Sequence, residues 1–541
     1  MLRFIQQFLI AYFLLISFSA CHAIDEKAYD TTFRMNLAGG LHSLDPAFSK
    51  DLSTMWCAQL LYNTLVETDT NLQLQASIAK SWSVDERQLN YTFHLRQDIY
   101  FHQHPLFPNH KPRKLVAADV VFSFKRLIDP VLASPGAWIF NDKVIATNPF
   151  EAPNDSTLII HLQQPFQPLL QMLSMPYCSI VPHEIVNYYK EDFRSHPCGS
   201  GPFQFVSWDE GANLLLHKNP TYWEFENGIR LPYLSGVQLS FFDAKATEFL
   251  LFMQHKLDFV NSIDASFKDL VFYKNGLLKP SFQKQFNLQK ATYINTEYIG
   301  ILLDTTSTVL KNNPLKIKQF RQAINYAIDR NKILTNFRNG IGSAATKGFI
   351  PKGMPGYFED AQYGYTYQPE KAKKILAQVG YDKKGNAPAI TIYTPDNYAD
   401  IVNFIAKELK EIGIPVVVEV MQASILKQQM SAGELPMYRA QWIGDYPDAE
   451  TFLAVFLSTM PAPPNYSRFK NKQFDAWYKE AMQEEGIARL SLYRKMDSLV
   501  ISEAPVIPLF YDEYVHLYQK NIIGLRSNAM NRIDLKRVIK K

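Results

Sequence analysis

The chain has 541 residues, of which 47% are apolar, 20% charged and 13% aromatic. That is a folded, core-forming composition long enough for several domains, and it excludes a disordered or collagen-like chain. The net charge of +4 is spread thinly, and the only Lys/Arg run is the short tail from Lys536 to Lys541, so no nucleic-acid footprint is present.

Residues 1–23 read as an export signal: one positive charge at Arg3, an apolar run, then small residues. Two cleavage readings stand. Phe18-Ser19-Ala20-Cys21 has the form of a bacterial lipobox, which would make Cys21 a lipidated first residue. Ordinary cleavage after Ala23 is the other. No later stretch reaches the roughly 18 apolar residues that span a bilayer. Export implies an oxidising compartment. Cys178 and Cys198 are close enough in sequence to form a disulfide, worth about 3 kcal/mol for a loop of that size; the alternative is two buried thiols. Cys57, beside Trp56, reads as a core thiol. No CxxC pair argues for a zinc or redox centre.

In chain order, 33–37 reads as a strand and Ser43-Leu-Asp-Pro46 as a turn. Residues 53–66 carry apolar positions at helical spacing, and 91–95 alternate as a strand. His102, His104 and His110 fall in a Pro-rich loop; three imidazoles in nine residues either bind a metal or decorate a polar surface. A helix follows over 115–126 and a strand over 158–162. The glycine-rich turn Pro197-Cys-Gly-Ser-Gly-Pro202 feeds strands over 203–207 and 213–217. It lacks both the Gly-x-Ser-x-Gly nucleophile spacing and the phosphate-loop ending. The second half opens with a buried strand over 298–303 and a single helix over 317–330. A helix over 369–379 is followed by strand 389–394, helix 399–412 and strand 416–420. That β-α-β order argues for a partly parallel sheet. Helices over 474–482 and 488–504 and a strand over 506–510 close the chain.

The stretch from Met437 to Leu453 carries the candidate chemistry. A strand ends at Ile443, Gly444 and Pro447 force a turn, and Asp445 and Asp448 sit on it between Trp442 and Tyr446. A carboxylate at a strand end takes an ammonium group, and Arg439, six residues upstream, offers a bidentate partner for a carboxylate. The plainer alternative is a capped helix start with an arginine on a solvated strand.

The ordered set Leu44-Asp-Pro46, Leu60-Leu-Tyr-Asn-Thr-Leu-Val66, Ala79-Lys-Ser-Trp82, Ala117-Ala-Asp-Val-Val-Phe-Ser123, Gly199-Ser-Gly-Pro-Phe203, Asn219-Pro-Thr-Tyr-Trp223, Arg321 to Arg330, Pro369-Glu-Lys-Ala-Lys373 and Trp442 to Leu453 resembles the extracytoplasmic solute-binding proteins of ABC transporters. Within them it is similar to the oligopeptide/dipeptide-binding family, family 5, over nearly the whole chain after the signal. The resemblance implies an α/β, two-lobed periplasmic-binding-protein fold of type II, cluster C, with an extra domain on the first lobe. Lobe I would comprise 31–60, 185–285 and 512–541, the extra domain 61–184, and lobe II 286–511.

By the same resemblance, Asp445 takes a ligand ammonium, and Gln441 to Ile443 bond the ligand backbone as an added strand. Trp442 walls the cleft, Tyr446 is a further ligand-binding candidate, Arg439 takes a C-terminal carboxylate, and Leu44 and Asp45 line the cleft from the other lobe. An intramolecular salt bridge is the alternative for Arg439. The expected cargo is a peptide passed to a membrane permease by a monomer, with no cofactor, metal or nucleic acid. Nickel chelates, haem, sugars and opines are the other solutes this family implies. An exported hydrolase is the reading from a different class, and no activated nucleophile supports it.

Overall fold

The computed structural model describes residues 31–381 and 387–541. The export signal and Cys21 lie outside the described residues. Among those described, no helix is long and apolar enough to cross a membrane.

Three sheets organise the chain. The first places Phe33–Asn36 parallel to Gly236–Ser240, followed by Asn213–Lys218 and Phe203–Asp209 in antiparallel order. Period-two alternation buries Leu214 and Leu216 on one face of it. The second is an antiparallel sheet in the order Ala79–Val84, Asn90–Leu95, Thr157–His161, Phe150–Asn154. Tyr91, Phe93 and Leu95 point inward from it, and the helix Ala117–Leu127 brings Val120, Phe124 and Leu127 into the core. These strands and this helix all fall within residues 61–184.

The third sheet is mixed and has seven strands. Its main path runs Phe259–Asn261, Val506–Gln519, Phe286–Ile301, Met437–Ile443, Ile390–Thr394, Val416–Val420, and Ser343–Ala344 pairs with Val506–Gln519 off that path. The β-α-β unit is realised: Ile390–Thr394 and Val416–Val420 pair in parallel, and the helix Ala399–Glu411 buries Ile401, Val402, Ile405 and Leu409 against them. The strands expected over 298–303 and 506–510 are far longer than their apolar segments. At 16 and 14 residues they form one antiparallel ribbon serving two separate cores. One core holds Phe252, Phe286 and Leu517; the other holds Ile299, Ile301 and Ile507. Between them the register slips, from Thr292 opposite Glu513 to Thr296 opposite Tyr511. Such a bulge bends the ribbon where it passes from one core to the other.

The helix expected over 317–330 is two helices. Lys318–Ala327 stops because Ile328 is extended, and Asp329 caps Arg330–Phe337 by accepting from the Lys332 N–H at 3.1 Å. The helix expected over 53–66 ends at Leu61, because Tyr62 turns extended and leads into the strand Val66–Thr68.

The disulfide reading is corrected. Cys178 and Cys198 are free and buried, as is Cys57. The Cys178 thiol faces the Met172 carbonyl at 3.7 Å and the Cys198 thiol the His102 carbonyl at 3.6 Å. Proximity in sequence did not become proximity of sulfurs, because each thiol is held on a different carbonyl.

The glycine-rich turn is a packing device. A Cβ on Gly201 would lie 2.4 Å from the Leu61 carbonyl carbon and 2.6 Å from the Tyr62 nitrogen, both backbone atoms that cannot swing aside. Gly201→Ala is expected to destabilise the protein by about 1–3 kcal/mol, the range for overpacking a tight contact, read as a lower midpoint in urea denaturation.

Candidate functional site

The strand Met437–Ile443 is paired along only one side for most of its length. On that side it runs antiparallel to Phe286–Ile301, with Asn295 opposite Ile443 and Glu297 opposite Gln441. On the other it meets Ile390–Thr394 at a single pair, Tyr438 with Tyr393. Beyond Tyr438 the outer edge has no partner strand among the described residues. Gln441 and Ile443 are exposed along this open edge, and Trp442 is half-buried. An open edge of main-chain donors and acceptors is a template for another extended segment.

The edge ends at the Asp445 turn. The Gly444 N–H donates to the Ile294 carbonyl at 2.9 Å, which ties this turn to the bulge of the long ribbon. A Cβ on Gly444 would meet the side-chain ends of Ile294 and Met354 at 2.9 Å, so a larger residue there would have to push both aside. Asp445 is half-buried. Burial, reinforced by the charge of Glu450, pushes its carboxyl up to about 6, against a hydrogen bond from Thr451. Its charge is felt by Tyr293 on the ribbon and by Tyr177 from the extra-domain side. Asp445 therefore stands between elements of the two halves.

Around it the halves are in contact. The Trp138 and Tyr446 rings lie 6.0 Å apart, and Gln167 donates to Glu485 at 3.0 Å. The Tyr446 and Tyr478 hydroxyls both donate to the buried Glu450. Asp448 accepts from the Tyr493 hydroxyl at 2.8 Å and pairs with Arg489 at 2.9 Å. Of the two acids on the turn, Asp448 is engaged in holding the fold, while Asp445 is bonded to Thr451, whose Oγ1 also accepts from the Asp445 backbone N–H at 3.4 Å.

Arg439 is the salt bridge of the alternative reading. Its guanidinium pairs with the buried Glu297 at 2.5 Å, donates to Gln441 at 2.8 Å and stacks over the Tyr398 ring at 3.4 Å. Tyr398 and Asn295 also donate to Glu297, each at 3.2 Å. Burial raises the Glu297 carboxyl and Arg439 opposes that rise. Diverting Arg439 to a ligand carboxylate would strand Glu297 as a buried, unpaired charge. Leu44 and Asp45 are likewise engaged. The Asp45 carboxylate pairs with Arg126 and caps the turn at Ala47, and Leu44 is bonded through its backbone to Arg194 and Tyr62. Both are buried, so neither offers a free polar group to a cleft. Tyr446 is buried and spends its hydroxyl on Glu450.

The three histidines do not converge. His102 is buried, bonded to the Gly201 carbonyl at 3.0 Å and lowered by burial to about 4, while His110 turns to the Pro105 carbonyl at 2.7 Å. The described residues do bring Asp119, His183 and Glu184 together, but Arg113 neutralises both acids, at 2.7 Å each.

Sequence reasoning missed Glu297, Tyr177, Tyr293 and Trp138. Glu297 left a signal: a lone acid within the apolar run from Ile294 to Leu303 must have a buried cationic partner.

Comparison with known proteins agrees with this architecture. Heme-binding protein A of Haemophilus influenzae is 28% identical over 479 residues, covering 84% of this chain and 82% of that one. Di/tripeptide-binding protein 2 of Pseudomonas aeruginosa is 25% identical and covers 97% of both. Among solved structures, HbpA2 from Haemophilus parasuis superposes with a TM-score of 0.80 at 24% identity, over 94% of this chain and all of that one. The periplasmic binding protein DppA from Helicobacter pylori, in complex with the peptide STSA, gives 0.72 at 25% identity, over 94% and 99%. The family model for the middle region of family 5 matches residues 73–463, so this chain belongs to the bacterial extracellular solute-binding proteins of family 5.

Proposed function

We propose that the protein captures peptides in the cleft between its two lobes and hands them to an ABC-transporter permease, acting as a monomer and performing no chemistry on its cargo. The lobe limits 31–60, 185–285 and 512–541, against 286–511, with 61–184 as the extra domain, are part of this reading. So is export to the periplasm or cell envelope, by cleavage or with a lipid on Cys21. The observation that carries it is the unpaired strand edge after Tyr438 that runs into Asp445. Main-chain bonds along that edge supply affinity for any peptide, and Asp445 fixes the register by taking the α-ammonium. Trp442 walls the groove beside them. A relative named for peptides at full-length coverage and the peptide-bound structural neighbour support the same cargo.

The test is calorimetric titration with a mixed di- to tetrapeptide library between pH 8 and pH 4.5. The ammonium binds the ionised carboxylate, and Asp445 holds its proton below about 6. Affinity is therefore flat above that pH and falls about tenfold per unit below it, as linkage requires. Haem titrated in parallel is the control. Saturable haem binding with no peptide binding would overturn the assignment.

A further inference from the structure

A cavity of about 570 Å³ lies between the C-terminal segment 526–537, the strand pair at 66–76 and the loop 222–226. No residue of the Asp445 turn lines it. Its volume is within the range of small-molecule sites, and its walls carry both signs of charge in an uneven arrangement.

Arg532 reaches across the cavity wall and donates through Nη1 to the Ser174 carbonyl at 3.0 Å; no carboxylate comes within ion-pair distance of it among the described residues. Arg526, exposed on the same hairpin, also lacks an ion pair there. The acids are distributed differently. Glu67, Glu224, Glu226 and Asp534 cluster around only two cations. Lys536 contacts Glu67 at 3.1 Å and Glu224 at 2.7 Å; Arg537 contacts Glu226 at 3.2 Å, Asp534 at 2.7 Å and also Glu224. Four carboxylates sharing two cations leave surplus negative charge, to which Asp69 on the same lining adds, while two guanidiniums nearby have no acid within ion-pair distance among the described residues. Burial lowers the Arg532 guanidinium to about 10, with Glu67 offsetting part of the drop. An anion beside it would relieve that penalty.

We propose that this cavity is a second binding site, for a zwitterion of amino-acid or dipeptide size. Its carboxylate pairs with Arg532, assisted by Arg526, and its ammonium sits against the carboxylates around Lys536 and Arg537. The arrangement rejects simple anions, which the acids repel, and simple cations, which the two arginines repel.

The experiment uses the full mature protein, freed of bound solute, carrying Asp445→Ala so that the strand-edge site is weakened. L-alanyl-L-alanine, its N-acetyl derivative and its C-terminal amide are titrated by calorimetry. Expected is one saturable site for the free dipeptide, with each blocked form at least tenfold weaker. Adding Arg532→Gln should weaken the free dipeptide tenfold or more. Adding the surface change Arg526→Gln, which cannot perturb folding through a buried contact, should weaken it about threefold. In the Asp445-intact protein, Arg532→Gln should leave strand-edge peptide affinity unchanged, which separates failure of this site from failure of the other. No saturable dipeptide binding in the Asp445→Ala protein, or binding untouched by both arginine changes, overturns the proposal.

Discussion

Replacing Asp445 with alanine should weaken peptide affinity by about 2 kcal/mol or more, roughly thirtyfold, because it leaves a ligand ammonium unpaired in a half-buried site. Asp445→Asn should lose nearly as much, since it keeps the shape and removes the charge, and it should abolish the fall in affinity below pH 6. An N-acetylated peptide should bind the wild-type protein as poorly as the free peptide binds Asp445→Ala. Combining the two changes should cost little more than either alone, the mark of a direct pair. Calorimetry on these four combinations decides the matter: equal affinity of free and acetylated peptide for wild type would remove Asp445 from the site.

Arg330→Met should be a severely damaging change to the fold, lowering the unfolding free energy by several kcal/mol, because it strands buried carbonyl and amide acceptors at about 1–3 kcal/mol each. Arg330 is 3% exposed, and its guanidinium donates to the Pro508 carbonyl at 2.6 Å, the Asn325 carbonyl at 3.1 Å, the Ile328 carbonyl at 3.3 Å and the Asn325 side chain at 3.2 Å. Methionine fills much of the volume and satisfies none of these acceptors. Arg330→Lys should restore little, since one ammonium cannot span acceptors arranged for a planar fork. Urea denaturation followed by tryptophan fluorescence reads the loss. Peptide affinity of the fraction still folded should be unchanged, because Arg330 binds the strand Val506–Gln519 to a helix start and touches no part of the Asp445 turn.

These two residues show what was legible in the sequence. Asp445 was visible as an acid on a Gly/Pro-forced turn at a strand end, a local pattern. The β-α-β unit was legible because its apolar periods are uninterrupted. The fate of Arg439 was not, because its partner Glu297 lies 142 residues away and the pair forms only when two strands align. The long ribbon was read short for a related reason. Asn295, Thr296 and Glu297 break the apolar run, and in sequence that polar interruption looks like a strand end. In the fold it is where one strand passes from one core to the next: the Asn295 amide donates to Asp512, Glu297 pairs with Arg439 and the Thr296 hydroxyl donates to the Phe349 carbonyl. The break between the two helices at Ile328 and Asp329 was hidden by apolar spacing that continues across it.

The contact of Trp138 with Tyr446 has a thermal consequence. Any swing of the lobes that parts these rings wets the buried Tyr446 ring, so closing should carry a negative heat-capacity change. The attraction between the jaws then fades on cooling, and an empty receptor gapes more in the cold than at the temperature of growth.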